Sequence, residues 1–250
     1  MKKGLILMTI FSVLFLLVPQ VSCLGIRGVF PSMAPRPVVT GSSNMATWEY
    51  DFTDFTDVNV SSAFSVDISQ SDSYSVSITA NENILDYLSV YQKDETIYVG
   101  LELASYRNVQ TEAKISMPTI ASLELSGASD GEINDFSSSD PLNLELSGAS
   151  LLLGNIETGD FNIHLSGASR VQLTGSGDNL DVHASGASQV ELANYIVNNA
   201  NVKLSGASSA YLKLNGRLNA DLSGASRLLY SGEPSLGDIE LSGGSTISEQ

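Results

Sequence analysis

The sequence predicts an all-β fold: a parallel β-helix with rungs of about 19 residues, N-terminal strands and one short helical turn near residues 83–88. Two observations carry this. The tetrapeptide Ser-Gly-Ala-Ser begins at Ser126, Ser147, Ser166, Ser185, Ser205 and Ser223, with a Ser-Gly-Gly-Ser variant at Ser242, at intervals of 21, 19, 19, 20, 18 and 19. A fixed period of this length marks a solenoid. The first and third residues before each copy are apolar, as in Leu144 and Leu146, Ile163 and Leu165, or Val202 and Leu204, and the residue between them is polar. Such alternation is a half-buried strand.

From the start of the chain, Lys2 and Lys3 precede an apolar run from Gly4 to Val18, the pattern of an export signal over residues 1–23. The run falls short of the roughly 20 residues of a spanning helix. Cys23, the only cysteine, stands where a lipoprotein signal places its lipidated residue, and ordinary cleavage after Cys23 is the competing reading. The expected location is exported, at the cell envelope, with membrane attachment only through a lipid or the signal. Residues 24–46, with Pro31, Pro35 and Pro37 and no periodicity, read as a Pro/Gly/Ser-rich tether. Residues 47–250 then read as one β-helix domain, with seven tetrapeptide rungs from residue 123.

Between 48 and 121 the chain alternates without the tetrapeptide, at Val58 and Val60, at Phe64, Val66 and Ile68, and at Ile97, Val99 and Leu101. Asn81 or Asn83 is placed to cap a helical turn whose Ile84, Leu85 and Leu88 share one face and cover the end of the core. In the repeats, alternation resumes after each tetrapeptide, so each unit holds two strands joined by a corner. The Gly- and Asn-rich remainder reads as turns with room for a short third strand. One unit cannot bury its own apolar face, whereas stacked units build a continuous core.

The corner residues Ser126, Gly127, Ala128 and Ser129, and Gly148, Gly167, Gly186, Gly206, Gly224 and Gly243 in the later copies, are read as structural. Glycine gives the backbone its freedom, alanine is expected on the inside of the bend, and the serines are expected to hydrogen-bond nearby backbone. Identical copies with no recurring base beside them do not make nucleophiles, so no catalytic residue is assigned.

The Leu-x-Leu-Ser-Gly-Ala-Ser repeats, preceded by Phe55-Thr-Asp-Val-Asn-Val60, Phe64-Ser-Val-Asp-Ile68 with Gln70, and Ala80-Asn-Glu-Asn-Ile-Leu-Asp-Tyr-Leu88, resemble the auto-transporter adhesin head GIN domain family, a domain of unknown function. The resemblance covers about residues 48–250. It implies a right-handed β-helix and an exported or lipid-anchored surface protein with no assigned activity.

A net charge of −16, with 12 basic and 28 acidic residues, excludes nucleic acid as a partner. One cysteine and two histidines exclude a disulfide framework and leave little for a metal site, so no cofactor or metal is expected. His164 and His183 hold the same position in consecutive rungs, between Glu145 and Lys203, and read as a solvated surface ladder rather than as metal ligands. Asp51, Asp54 and Asp57 lack the spacing of a calcium loop.

The expected function is a non-catalytic envelope module, adhesin-like or structural, that binds an unknown surface partner or glycan. The alternative is a carbohydrate-active enzyme, a lyase or hydrolase on the same scaffold, for which Glu124, Glu145, Asp221 and Glu240 are available. No cluster of Trp, Tyr and Arg is expected on those faces to hold a sugar, since Trp48 lies before the repeats. The consecutive Leu151, Leu152 and Leu153, with Tyr211 and Leu229 in the outward phase of later rungs, predict an apolar stripe. Together with a last rung that has no cover, this predicts weak self-association.

Overall fold

Alternation with a period of two residues and a corner every rung fold the chain into two stacked sheets, seen in a computed structural model described for residues 36–250. The expected export signal over residues 1–23, with Cys23, and residues 24–35 lie outside the described residues. Among those described, no helix is long and apolar enough to cross a membrane. Strand accounts for 62% of the structure and helix for 3%, in a solenoid of about 6 turns with rungs of about 20 residues.

Each repeat contributes one strand to a ten-stranded front sheet, as Phe161–Leu165, and one to an eleven-stranded back sheet, as Arg170–Ser176. Neighbouring rungs pair in parallel and in phase, so that Ile163 lies beside Val182 and Leu165 beside Ala184. The apolar residues of both strands meet between the sheets: Leu144, Leu146, Ile163, Val171, Val190 and Leu212 are all at most 2% exposed. The Gly- and Asn-rich remainder makes no third strand. It prolongs the back strand, and in the rung of Arg170–Ser176 only Gly177 and Asp178 separate it from the next front strand, Asn179–Ala184.

The corner differs from expectation in which residue lies inside. Gly186 and Ala187 form its exposed tip and Ser188 is buried, a pattern shared by the first six tetrapeptides. The chain turns through Gly186 at φ 78°, a left-handed conformation that glycine adopts without strain. The inner hydroxyl donates to the carbonyl oxygen of the first serine of its own corner, Ser188 Oγ to Ser185 O at 2.8 Å, and all seven copies repeat this bond. A buried side chain that must also satisfy a backbone carbonyl has to be small and polar, which selects serine over alanine. Alanine faces solvent because the turn directs its Cβ outward.

Hydrogen bonding between rungs runs through the corner without a break. Ser185 N donates to Leu165 O at 2.9 Å, Ala187 N to Gly167 O at 2.8 Å and Gln189 N to Ser169 O at 2.9 Å. A Cβ on Gly186 would collide with the same Gly167 carbonyl oxygen. From Gly167 onward each corner glycine is therefore fixed twice, by its own φ and by the glycine stacked beneath it.

The N-terminal end is built out of chain order. Asp57–Val60 and Ser65–Gln70 form a rung parallel to the first tetrapeptide rung, and Thr96–Leu101 with Thr111–Met117 form another on its far side. Antiparallel strands close this end, Leu88–Lys93 on the front sheet and Ser75–Asn81 with Met45–Tyr50 on the back. A 3-10 helix, Glu82–Tyr87, crosses from one sheet to the other over the core. Its Ile84 is fully buried with Val39 and Ala80, as a covering turn requires, whereas Leu85 faces solvent at 44% exposure instead of sharing that face.

The two asparagines do not cap this helix. Asn81 Nδ2 donates to Ser42 O at 2.7 Å and its Oδ1 accepts from Gln110 N at 2.7 Å. Asn83 Oδ1 accepts from Ser42 N and its Nδ2 donates to Thr40 O, both at 2.8 Å. They staple residues 40–42 onto the end of the solenoid. This corrects the tether: from Val38 onward it belongs to the fold, with Val38–Thr40 pairing in parallel with Ser105–Arg107 and Val39 buried.

The expected apolar stripe is interrupted. On the back sheet Leu153 is followed outward by Gln172 and Glu191 before Tyr211 and Leu229, so two polar rungs separate the leucine from the tyrosine.

Unfolding by urea separates these roles. Gly186→Val is expected to cost about 1–3 kcal/mol through its left-handed backbone alone, and Ser188→Ala about 1 kcal/mol through the lost buried hydrogen bond. Ala187→Leu, at the exposed tip, stays within about 0.5 kcal/mol, while Leu165→Ala or Leu204→Ala costs about 2–5 kcal/mol. A large loss in Ala187→Leu with none in Ser188→Ala would invert the corner.

Candidate functional site: the front-sheet ladder

In-register stacking turns the polar residue of each front strand into a column on the outer face. Pairing sets Glu124 beside Glu145, then His164, His183, Lys203, Asp221 and Glu240 in succession. The four residues expected as a surface ladder, Glu145, His164, His183 and Lys203, are thus consecutive and exposed. The imidazoles of His164 and His183 meet edge to face with ring centroids 5.0 Å apart. His183 Nε2 lies 3.3 Å from Asp181 Oδ1, and Lys203 Nζ 3.5 Å from Asp221 Oδ2. Among the described residues, no group of three His, Cys, Asp or Glu side chains is arranged to hold a metal ion.

The column extends beyond the repeats. Asn59 pairs with Glu124, Tyr98 with Asn59 and Tyr91 with Tyr98, so two tyrosines head the same line of side chains. Their rings stack with centroids 4.9 Å apart and planes 14° apart, and Tyr91 is 48% exposed. This corrects the expectation that the face lacks aromatic residues. The clue was present in Val58-Asn-Val60 and Ile97-Tyr-Val99, which repeat the apolar-polar-apolar pattern of the later front strands. Tyr91 sits on an antiparallel strand, whose register no repeat specifies.

Two residues upstream runs a second column, also missed. Asn162 Nδ2 donates to Asn143 Oδ1 at 2.9 Å and Asn219 Nδ2 to Asn201 Oδ1 at 2.8 Å, with Asp181 between the two pairs. Amide side chains stacked at the strand spacing donate to one neighbour and accept from the other, which joins rungs through their side chains. The two columns border shallow depressions. One, of 320 Å³, is lined by Glu145, His164, His183 and Lys203 with the corner serines Ser166, Ser185 and Ser205. The other, of 260 Å³, lies beside it between Lys203 and Glu240.

Within the column, Glu124 has a displaced titration. Partial burial and then the neighbouring Glu145 raise its pKa, while the hydrogen bond from Asn59 Nδ2 opposes them. The corner serines are not arranged as nucleophiles. Six inner ones are buried with Oγ bound to backbone, and the outer Ser185 Oγ lies 3.5 Å from Leu165 O rather than against a histidine.

The family model described as "Putative auto-transporter adhesin, head GIN domain" matches residues 54–234, from just before the first front strand into the last tetrapeptide rungs. The chain belongs to this family. Similar solved structures include a "putative adhesin" from Bacteroides fragilis NCTC 9343, with a TM-score of 0.77 and 20% identity over 85% of this chain and 100% of that one. A "putative lipid binding protein" from Parabacteroides distasonis ATCC 8503 has a TM-score of 0.71 and 16% identity over 85% and 99%. A "putative adhesin" from Parabacteroides merdae ATCC 43184 has 0.68 and 18% over 86% and 99%. At these identities the likeness is one of fold. Among curated proteins none matches the chain in sequence. The adhesin head family thus accounts for the scaffold, and the front-face residues are read on their own chemistry.

Glu124→Gln tests the electrostatics of the column. A carboxyl whose folded pKa is raised destabilises the native state once ionised, so at neutral pH the variant is expected to be more stable, by less than about 1 kcal/mol. That advantage fades as pH falls through the window between the raised pKa and the ordinary carboxylate value, and is absent below it. Urea unfolding of both proteins at neutral and acid pH measures the difference, and an advantage that grows on acidification would contradict the assignment.

Proposed function

We propose that the chain is a non-catalytic, exported cell-envelope protein whose solenoid holds the front-sheet ladder rigid for a surface partner. The observation that carries this is the column itself. A recognition surface needs many modest contacts at fixed spacing, and backbone pairing sets that spacing here in every rung. Catalysis needs groups converging on one point. Membership of an adhesin head family supports a surface location, and Lys2, Lys3 and the apolar run after them support export.

One observation favours the carbohydrate-active reading. Glu124 and Glu145 are adjacent carboxylates, one with a raised pKa, as an acid and its partner would be in a glycosidase. Release of reducing ends from a glycan panel, abolished in Glu124→Gln, would establish that reading and overturn the first.

Adhesion of the labelled mature protein to immobilised glycans and envelope preparations tests the binding face. Substituting His183→Glu with Lys203→Glu on the front is expected to reduce adhesion about tenfold, a loss of about 1.4 kcal/mol, and Gln172→Ala on the back to leave it unchanged. Equal adhesion in all three proteins would remove the front sheet from the proposal.

Location is tested separately. If Cys23 carries a lipid, Cys23→Ala moves the protein from the membrane fraction to the soluble exported fraction, whereas a cytoplasmic protein with Met1 intact excludes export. Weak self-association now rests on the strand Ser235–Leu241, whose Leu236 and Leu241 are 53% and 47% exposed. Sedimentation over a concentration range is expected to show a dimer that Leu241→Lys abolishes.

A further inference from the structure

We infer that the front sheet is a track for a neutral glycan strand, which lies along the solenoid axis and uses the free face of Tyr91, backed by the stacked Tyr98, as its stacking surface. The inference rests on the reading of this sheet as the binding face and names the chemistry of the partner. Sugar rings are recognised by two kinds of contact. The apolar C–H face of a pyranose packs on an aromatic ring, and its hydroxyls, each both donor and acceptor, pair with carboxylates, amides and imidazoles. Both kinds occur here in a single line.

Tyr91 and Tyr98 are stacked 4.9 Å apart at one end of the column, and Tyr91 lies on the strand that ends the sheet. Asn59, Glu124 and Glu145 continue from them one strand at a time toward the 320 Å³ depression around His164 and His183. Ten strands at about 4.8 Å make a track of roughly 43 Å. An extended glycan advances by close to one strand spacing per sugar ring, so successive rings meet successive rungs. A polymer with a matching repeat gains from each rung, which lets shallow contacts add up without a deep pocket.

The same face disfavours other partners. Carboxylates outnumber the cations along the column, where Glu124, Glu145, Asp221 and Glu240 stand against Lys203, so polyuronates, sulfated glycans and anionic headgroups are repelled. The ladder within the repeats carries no apolar anchor of the kind that protein interfaces bury at their centre.

The experiment is affinity gel electrophoresis of the full mature chain in hydroxyethyl cellulose, xyloglucan, laminarin and galactomannan, with alginate and polygalacturonate as acidic counterparts. At least one neutral polysaccharide is expected to retard the protein and neither acidic one to do so. Tyr91→Ala and Tyr98→Ala should each weaken retardation about tenfold, a loss of about 1.4 kcal/mol, while Tyr91→Phe keeps it. His164→Ala, far from the tyrosines and exposed to solvent, should weaken it by a smaller factor, so the track is tested even if a tyrosine variant fails to fold.

Absence of retardation by every neutral polysaccharide overturns the inference, as does retardation unchanged in well-folded Tyr91→Ala and Tyr98→Ala. Stronger binding of alginate or polygalacturonate overturns its charge argument and with it the class of ligand. If adhesion still depends on His183 and Lys203 while no polysaccharide binds, the glycan falls and the binding face stands. If adhesion is indifferent to the front sheet, the reading beneath the inference falls as well.

Discussion

From Gly148 onward the solenoid depends on the hydrogen bond from the third residue of one corner to the glycine carbonyl of the corner beneath, as from Ala187 N to Gly167 O. Parallel rungs can slip in register wherever their backbones part company, and a slip of one residue would turn every inward leucine to solvent. Corners are where slippage would begin, because turns normally leave the ladder. Here the left-handed glycine keeps N–H and C=O aligned along the axis, and the pairing on the two sides of the bend becomes one continuous ladder. The missing Cβ is as necessary as the left-handed φ, since any side chain there would meet the carbonyl that accepts this bond. The first corner shows what happens without the constraint. Ala128 also adopts positive φ, matching Ser62 and Ala63 in the glycine-free corner before it, and the glycine-to-alanine bonds begin only with Ala168.

The sequence makes the solenoid legible because its information is periodic. Strands, their inward residues and the corner repeat seven times, so an error in one copy is corrected by six others. Residue identity within the corner was harder to place. Alanine is the natural candidate for a tight interior and serine for a solvated tip, yet the need to satisfy the carbonyl of Ser185 puts Ser188 inside and Ala187 outside. At the N-terminal end periodicity fails altogether. Nothing in the order Asp57–Val60, Ser75–Asn81, Thr96–Leu101 shows that the third of these stacks beside the first, with antiparallel strands beyond. Asn81 and Asn83 were legible as residues that organise a helical turn but not as staples for a segment forty residues earlier, because that contact is long-range.

The functional face was half legible for the same reason. Glu145, His164, His183 and Lys203 fall at one position of the repeat and had to stack. Tyr91 and Tyr98 join them only through the antiparallel closure, so the aromatic end of the column depends on the part of the fold that carries no repeat. A cap built to cover the core also places two stacked tyrosines beside the ladder, so one element both closes the core and shapes the outer face.

In such a scaffold the outward residue of each strand is nearly free of structural duty. Its neighbours on either side are buried and must stay apolar, and the corner that follows is fixed by the glycine column. The outward position can carry Glu, His, Lys or Asp in turn, at a cost set mainly by its two cross-strand partners. A like-charge pair such as Glu124 and Glu145 is then informative. Burial first and then the neighbouring Glu145 raise the pKa of Glu124, a cost that an uncharged residue at this position would not carry. Two residues upstream, the pairs Asn143 and Asn162, and Asn201 and Asn219, show that outward positions of the sheet can satisfy one another with uncharged amides. Adjacent carboxylates between stacked tyrosines and a histidine pair are therefore a cost that the fold itself does not require.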